Sequence, residues 1–259
     1  MENCKLINEN PIENLVPNGG FCGIFKTIAC IGDSLASGEF ESIDENGVTH
    51  YHDMYEYSWG QCIARHTGSK VYNFSKGGMT AKAYVNNFAE SQGFWGEDKK
   101  CQAYIIALGV NDLLNDNQEI GSLADIDKND YRNNAPTFAG YYTQIIERLK
   151  EIQPKAKFFL VTMLKKGGWK DEGDKKKKAH RDLLESLCNY YDNTYLIDLF
   201  TYGPECDEEF YEQYFLGGHM SPMGYLYMGQ MIESYIDYII RKNPKEFADV
   251  CFIGTDLKR

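Results

Sequence analysis

Two side chains at opposite ends of the chain have the types and settings needed for covalent catalysis. Ser34 lies in Gly32-Asp33-Ser34-Leu35, directly after an apolar run at residues 27–31. Such a run predicts a buried strand, and the turn that leaves it stands at the sheet edge where α/β proteins bind ligands. His219 follows two glycines and precedes the helix start Ser221-Pro222. A serine needs a nearby base to act as a nucleophile, so the pair indicates acyl transfer.

Acyl transfer also needs donors for a developing oxyanion, and two turns have suitable residues. Gly77-Gly78 follows the apolar run 71–74, where glycine lets the backbone approach a ligand closely. Gly109-Val110-Asn111-Asp112 follows the run 103–108, and Asn111 can offer a side-chain amide without adding charge. Taken singly, each of these positions is an ordinary turn, and a lone loop histidine is more often bonded to the backbone. Their placement at one sheet edge favours a common site.

The elements that must position these residues are five short apolar runs with helical patterns between them. We predict strands at residues 27–31, 71–74, 103–108, 157–163 and 194–199. Strands that alternate with helices indicate βαβ units and a parallel sheet. The helical patterns predict a helix from Ser58 to Gly68, a second from Pro136 to Pro154, a third over residues 176–191, and a fourth that begins with Ser221 and Pro222. The expected fold is a single-domain three-layer α/β/α sandwich with a flavodoxin-like parallel sheet of about five strands.

The domain organisation is predicted from the same pattern. Residues 1–23 form an N-terminal extension, residues 24–242 the catalytic domain and residues 243–259 a C-terminal tail. Two long polar connections, residues 115–134 and 165–174, follow predicted strands, so we expect both to overhang the ligand crevice.

Composition excludes several classes of partner and site. The 259 residues carry a net charge of −11, which argues against nucleic acid or an anionic membrane as a partner. The eight cysteines are scattered without zinc spacing, which indicates a reducing compartment. No metal or other cofactor is expected, because no cluster of histidine and aspartate has ligand spacing and the glycine-rich phosphate motifs are absent. No signal peptide or membrane span is visible, which predicts a cytoplasmic protein.

In order and spacing, the blocks Gly32-Asp33-Ser34, Gly78, Gly109-Val110-Asn111-Asp112 and His219 resemble the SGNH hydrolase superfamily, also called GDSL hydrolases. The resemblance spans roughly residues 25 to 240. It implies ester hydrolysis, with Ser34 as nucleophile and His219 as base. It also implies an oxyanion hole made of the Ser34 and Gly78 N–H groups and the Asn111 amide, with Asp33, Gly109 and Asp112 in support.

One departure from the family pattern concerns the group that orients the histidine. The family usually has an aspartate three residues before it, and here that residue is Leu216. Loss of such an acid can cost about four orders of magnitude in rate. We favour a Ser–His dyad whose histidine is oriented by water or a main-chain carbonyl such as that of Leu216. Nearby acids are the alternative substitutes, namely Asp207, Glu208, Glu209 and Glu212.

The predicted substrates are small or carbohydrate-linked acyl esters such as acetylated sugars, a prediction that rests on the family resemblance. Aromatic residues that could shape the cleft are Tyr84, Phe94, Trp95 and Trp169. The main alternative is a catalytically impaired module of the same fold that binds a carbohydrate or acyl ligand without turnover. A flavin or nucleotide binder ranks last, because the chain lacks the glycine-rich phosphate motifs.

Overall fold

The computed structural model describes residues 9–166 and 172–257. Its centre is a five-stranded sheet whose strands are β1 (Thr27–Gly32), β4 (Lys70–Asn73), β5 (Ala103–Ala107), β6 (Lys157–Val161) and β7 (Thr194–Ile197). They lie in the order β4-β1-β5-β6-β7, and every neighbouring pair is parallel. Each predicted strand is therefore confirmed, with its end within two residues of the expected one.

Two small antiparallel ribbons lie outside this sheet. One pairs β2 (Glu39–Ile43) with β3 (Thr49–Asp53), and the other pairs β8 (Phe215–Leu216) with β9 (His219–Met220). Neither ribbon was expected from the sequence. Their strands carry few buried residues, and so they lack the apolar runs that mark the central strands.

Helices cover both faces of the central sheet. The α-helices are α1 (Ser34–Ser37), α2 (Trp59–Thr67), α3 (Ala81–Ala83), α4 (Ala89–Ser91), α5 (Phe138–Ile152), α6 (Glu172–Tyr190), α7 (Leu199–Tyr202), α8 (Glu208–Tyr214) and α9 (Pro222–Lys242). A π-helical turn, Tyr84–Phe88, joins α3 to α4, and another spans Val110–Asn115.

The core has two halves because side chains of a buried strand alternate between faces. In β1, Ala29 and Ile31 pack with α5 and α6, whereas Ile28 and Cys30 pack with α2 and α9. The three-layer α/β/α sandwich is thus confirmed.

Helix starts follow their capping residues. Ser58 caps α2 by accepting from Gln61 N, and Ser221 caps α9 with Pro222 at its first position. Two predicted starts were wrong by a few residues. α5 begins at Phe138 because Thr137 caps it by accepting from Gly140 N, and α6 already includes Glu172.

Segments beyond the predicted catalytic domain pack against it. Cys22 is fully buried, and Phe21 N donates to Asp237 on α9. Val250 and Ile253 are buried in the tail, which forms a short 3₁₀ turn, Val250–Phe252, rather than an edge strand. The domain boundaries remain predictions. Within the described residues, no helix is both long and apolar enough to cross a membrane.

Candidate active site

The turn that carries Ser34 is built by tight packing at the end of β1. A Cβ on Gly32 would lie 2.5 Å from Ala36 Cβ and 3.0 Å from Ala107 O, so only glycine fits there. Asp33 then caps α1 by accepting from Leu35 N at 3.0 Å. Ser34 is the first residue of α1, where a backbone N–H has no partner within the helix. Its N–H is therefore available to a ligand at the carboxyl edge of the sheet.

The two turns predicted to hold the oxyanion donors follow β4 and β5, the strands on either side of β1, and hydrogen bonds join the two turns. Asn111 Nδ2 donates to Met79 O at 3.1 Å, and Ala81 N donates to Asp112 Oδ1 at 2.8 Å. Gly78 adopts a left-handed φ of 70°, and a Cβ there would meet no atom within 4 Å. The Gly78 turn therefore faces open space, and its N–H has no acceptor among the described residues.

The buried residue His180 supports the turn that carries Asn111. His180 Nε2 lies 3.1 Å from Leu108 O, and Gly109 (φ 136°) has no room for a Cβ, which would sit 2.8 Å from that nitrogen. Burial lowers the pKa of His180 to about 4, so the imidazole is neutral and donates to the carbonyl. Glycine at position 109 thus allows the His180 ring to lie close to the backbone.

His219 lies on β9, which contacts both α1 and β2. Its Nδ1 is 2.6 Å from Glu41 Oε1, and Gly218 N donates to the same oxygen at 2.9 Å. A carboxylate can only accept here, so Nδ1 carries the proton and Nε2 faces away from Glu41. The partner of Nδ1 is neither the Leu216 carbonyl nor an acid of the segment 207–212. It is a carboxylate from the β2–β3 ribbon, 178 residues away in sequence.

The other histidine nitrogen also meets a carboxylate. His219 Nε2 lies 3.1 Å from Glu39 Oε1, and the Glu39 side chain is 15% exposed. Burial raises the pKa of Glu39, whereas the nearby His219 opposes that change and Asp53 and Glu41 reinforce it. In residues 9–166 and 172–257, Ser34 Oγ has no hydrogen-bond partner. Catalytic hydrogen bonds are often long or poorly aligned before substrate binds. The lack of a bond between Ser34 and His219 is therefore compatible with their acting as a pair.

A cavity of about 240 Å³ opens between the Ser34 and His219 segments. Asp33 and Leu35, which flank Ser34, and Gly218 and Met220, which flank His219, are among its lining residues. The remaining wall is mostly apolar and comes from the ends of β5 and β6 and from nearby helices. Burial raises the pKa of Asp33 to about 6, although the Leu35 N–H and His219 act in the opposite direction. The cavity is suited to an apolar group attached to the reacting carbonyl.

Most of the aromatic residues suggested for the cleft lie elsewhere. Tyr84 and Phe94 are buried in the core beside α5, and Trp95 packs against that core. Trp169 lies outside the described residues. Of the remaining histidines, His66 pairs with Glu233 and the exposed His52 pairs with Ser42. In the part of the chain that the structure describes, no cluster of histidines, cysteines or acids is arranged to hold a metal ion.

Sequence reasoning missed Glu39 and Glu41, and one local signal pointed to them. Gly217 has a left-handed φ of 70°, and a Cβ there would lie 2.3 Å from Glu41 Oε2. The lack of side chains at Gly217 and Gly218 thus allows the Glu41 carboxylate to lie close to the backbone before His219.

Comparison with known proteins supports the family resemblance and the fold. The family described as GDSL-like Lipase/Acylhydrolase matches residues 30–226, which is most of the chain and includes every residue of the site. No curated protein matches the sequence.

Solved structures show the same fold at low sequence identity. A lipolytic protein of the G-D-S-L family from Veillonella parvula is 16% identical, with a TM-score of 0.51, 82% of this chain and 98% of that chain covered. A carbohydrate esterase family 2 enzyme with a carbohydrate-binding domain, from Corynascus thermopiles, is 16% identical, with a TM-score of 0.57 and coverage of 83% and 67%. A family two carbohydrate esterase from Clostridium thermocellum, in complex with cellohexaose, is 14% identical, with a TM-score of 0.57 and coverage of 85% and 65%.

Proposed function

This chain belongs to the GDSL-like lipase/acylhydrolase family and hydrolyses ester bonds, and on that premise we propose that Ser34 is its nucleophile, His219 its base and Glu41 the carboxylate that orients His219. The observation that carries the assignment is the 2.6 Å contact between His219 Nδ1 and Glu41 Oε1. A carboxylate on Nδ1 holds the imidazole in the tautomer whose Nε2 can accept a proton, and it stabilises the imidazolium that forms. We therefore propose a triad of Ser34, His219 and Glu41 in place of the Ser–His dyad that the sequence favoured.

The proposed reaction proceeds through an acyl-enzyme. His219 Nε2 must first leave Glu39 and lose to solvent the proton that it donates there. Ser34 Oγ then attacks the ester carbonyl while its own proton passes to Nε2. The carbonyl oxygen gains negative charge, and the N–H groups of Ser34 and Gly78 with the Asn111 amide donate to it. Nε2 then gives its proton to the departing alcohol. Water, deprotonated by the same nitrogen, releases the acid and regenerates Ser34.

We propose acyl esters of carbohydrates as the substrate class. Two of the similar structures are carbohydrate esterases, and one of these was solved with cellohexaose. The apolar cavity beside Ser34 would receive the acyl group, and the exposed rim would receive the sugar. Tyr51 is 61% exposed on that rim, with its ring 5.9 Å from the His219 ring, where it can pack against a pyranose. Release of acetate from acetylated cello-oligosaccharides tests this class.

The catalytic assignment is tested with 4-nitrophenyl acetate and a fluorophosphonate probe. Ser34→Ala should lower kcat by about 10³-fold or more and abolish labelling, and His219→Ala should lower kcat to a similar extent. Ser42→Ala, which removes an exposed hydroxyl on β2, is the matched control and should keep both activity and labelling. Full activity in Ser34→Ala, or an unlabelled and inactive wild-type protein, would refute the assignment.

A further inference from the structure

Glu39 occupies a position that the triad itself does not require. Its Oε1 touches His219 Nε2 at 3.1 Å, and a Cβ on Gly77 would lie 2.0 Å from its Oε2. The carboxyl group thus reaches from the base to the turn that carries Gly78. A reacting ester carbonyl must lie within reach of both of these groups. Glu39 therefore borders the space that the substrate enters.

The side of the substrate that meets Glu39 follows from the role of Nε2. In serine hydrolysis this nitrogen protonates the oxygen of the departing alcohol, so a group in contact with Nε2 adjoins the alcohol part of the ester. The apolar cavity is lined by Asp33 and Leu35 next to the nucleophile and by Gly218 and Met220 next to the base, and Glu39 is not among its lining residues. The two parts of the substrate consequently meet different surroundings.

The backbone of Glu39 is held in place, and its carboxyl group lies among other acids. Tyr225 Oη donates to Glu39 O at 2.7 Å, and Glu39 pairs with Asp53 across the ribbon. Asp53 in turn accepts from Ser37 Oγ at 2.8 Å. The neighbouring charges that act on Glu39 are His219, Asp53 and Glu41, so the alcohol side is predominantly acidic. A carboxylate in such a place accepts hydrogen bonds from hydroxyl groups and repels anions.

Resting on the proposed esterase function, we propose that Glu39 is a specificity-determining residue that selects the alcohol side of the ester. It favours alcohols with a hydroxyl group next to the ester oxygen, and it disfavours alcohols that carry a carboxylate. When such a substrate binds, its hydroxyl takes the place of His219 Nε2 as the partner of Glu39. In that exchange the proton that Nε2 donates to Glu39 passes to solvent water, and Nε2 can then accept the proton of Ser34.

Three butyrate esters of similar size test this selection: glycerol monobutyrate, propyl butyrate and 3-(butyryloxy)propanoate. Released butyrate gives kcat/KM for each. In the wild-type enzyme we expect the glycerol ester to exceed the propyl ester by about tenfold and the anionic ester to fall about tenfold below it. Glu39→Gln should bring the anionic ester to within about threefold of the propyl ester, because the repulsive charge is gone.

The matched control is Glu45→Gln, which removes one carboxylate at the exposed tip of the same ribbon and should leave all three ratios unchanged. A second measurement does not depend on folding of the Glu39 variant: about 1 M salt should weaken the wild-type discrimination against the anionic ester. If the enzyme hydrolyses the esters but neither Glu39→Gln nor salt alters the ratios of kcat/KM between them, this inference is wrong and the proposed function still holds. Absence of any hydrolysis together with an unlabelled Ser34 would instead overturn the proposed function.

Discussion

The sheet edge and the β2–β3 ribbon contribute to the same site in different ways. The edge supplies Ser34, Gly78 and Asn111 from turns after three adjacent parallel strands, β1, β4 and β5. The ribbon supplies Glu39 and Glu41 from a strand pair whose outer residues are open to solvent, with Ile43 73% exposed. A two-stranded ribbon has little stability by itself, so its position depends on contacts with the rest of the protein.

This difference separates two requirements of the site. The proposed nucleophile and oxyanion donors need fixed backbone positions, and a buried parallel sheet provides them because its strand ends are held by the core. The carboxylates need only to reach His219, and a peripheral ribbon can bring them there. The proposed nucleophile and oxyanion donors therefore depend on the central sheet, whereas the carboxylates come from a ribbon outside that sheet.

The largest expected effect tests whether the ribbon is part of the catalytic machinery. Glu41→Gln should lower kcat by about 10³-fold, because the imidazole loses the carboxylate that fixes its tautomer. Steady-state hydrolysis of 4-nitrophenyl acetate measures it. Glu45→Gln, at the tip of the same ribbon, should change kcat by less than about twofold. A small effect of Glu41→Gln would mean that the edge alone performs the reaction.

A smaller effect is expected at the sheet edge itself. Asn111→Ala should lower kcat by about 10²-fold while KM changes little, because the amide donates mainly to the oxyanion of the transition state. Asn115→Ala is the comparison, since the Asn115 side chain donates to Asn111 Oδ1 at 2.8 Å. Equal losses in the two variants would indicate that Asn111 supports the turn rather than the oxyanion.

The smallest expected effect concerns stability and distinguishes buried from exposed acids. Burial raises the pKa of Asp112 to about 7, above the value of an unfolded aspartate. The neutral form is favoured in the folded state, so the stabilisation is complete below about pH 4 and is lost as pH rises through about 7. Asp112→Asn removes this dependence and should gain about 2 kcal/mol relative to wild type between about pH 5 and 8.

Urea unfolding at several pH values measures that gain. Glu45→Gln serves again as the control, because it removes an exposed carboxylate and should leave the pH dependence unchanged. Parallel curves for wild type and Asp112→Asn would show that the buried carboxyl is accommodated without cost.

Sequence patterns predicted the central sheet well because burial on both faces requires apolar runs. Such runs mark β1, β4, β5, β6 and β7, and the turns after them follow from the order of the strands. Glycine and capping residues then located the ends of α2 and α9. The two ribbons were missed, because strands exposed to solvent carry no comparable apolar pattern.

The sequence by itself determined the α/β sandwich and the residues Ser34, Gly78, Asn111 and His219 as candidates for one edge of the sheet. Only the tertiary structure decided which groups meet His219. Glu41 and Glu39 reach its two ring nitrogens from a solvent-exposed ribbon far away in sequence. The physical reason is that apolar burial leaves a periodic signal along the chain, whereas a single long-range contact between a carboxylate and an imidazole leaves none.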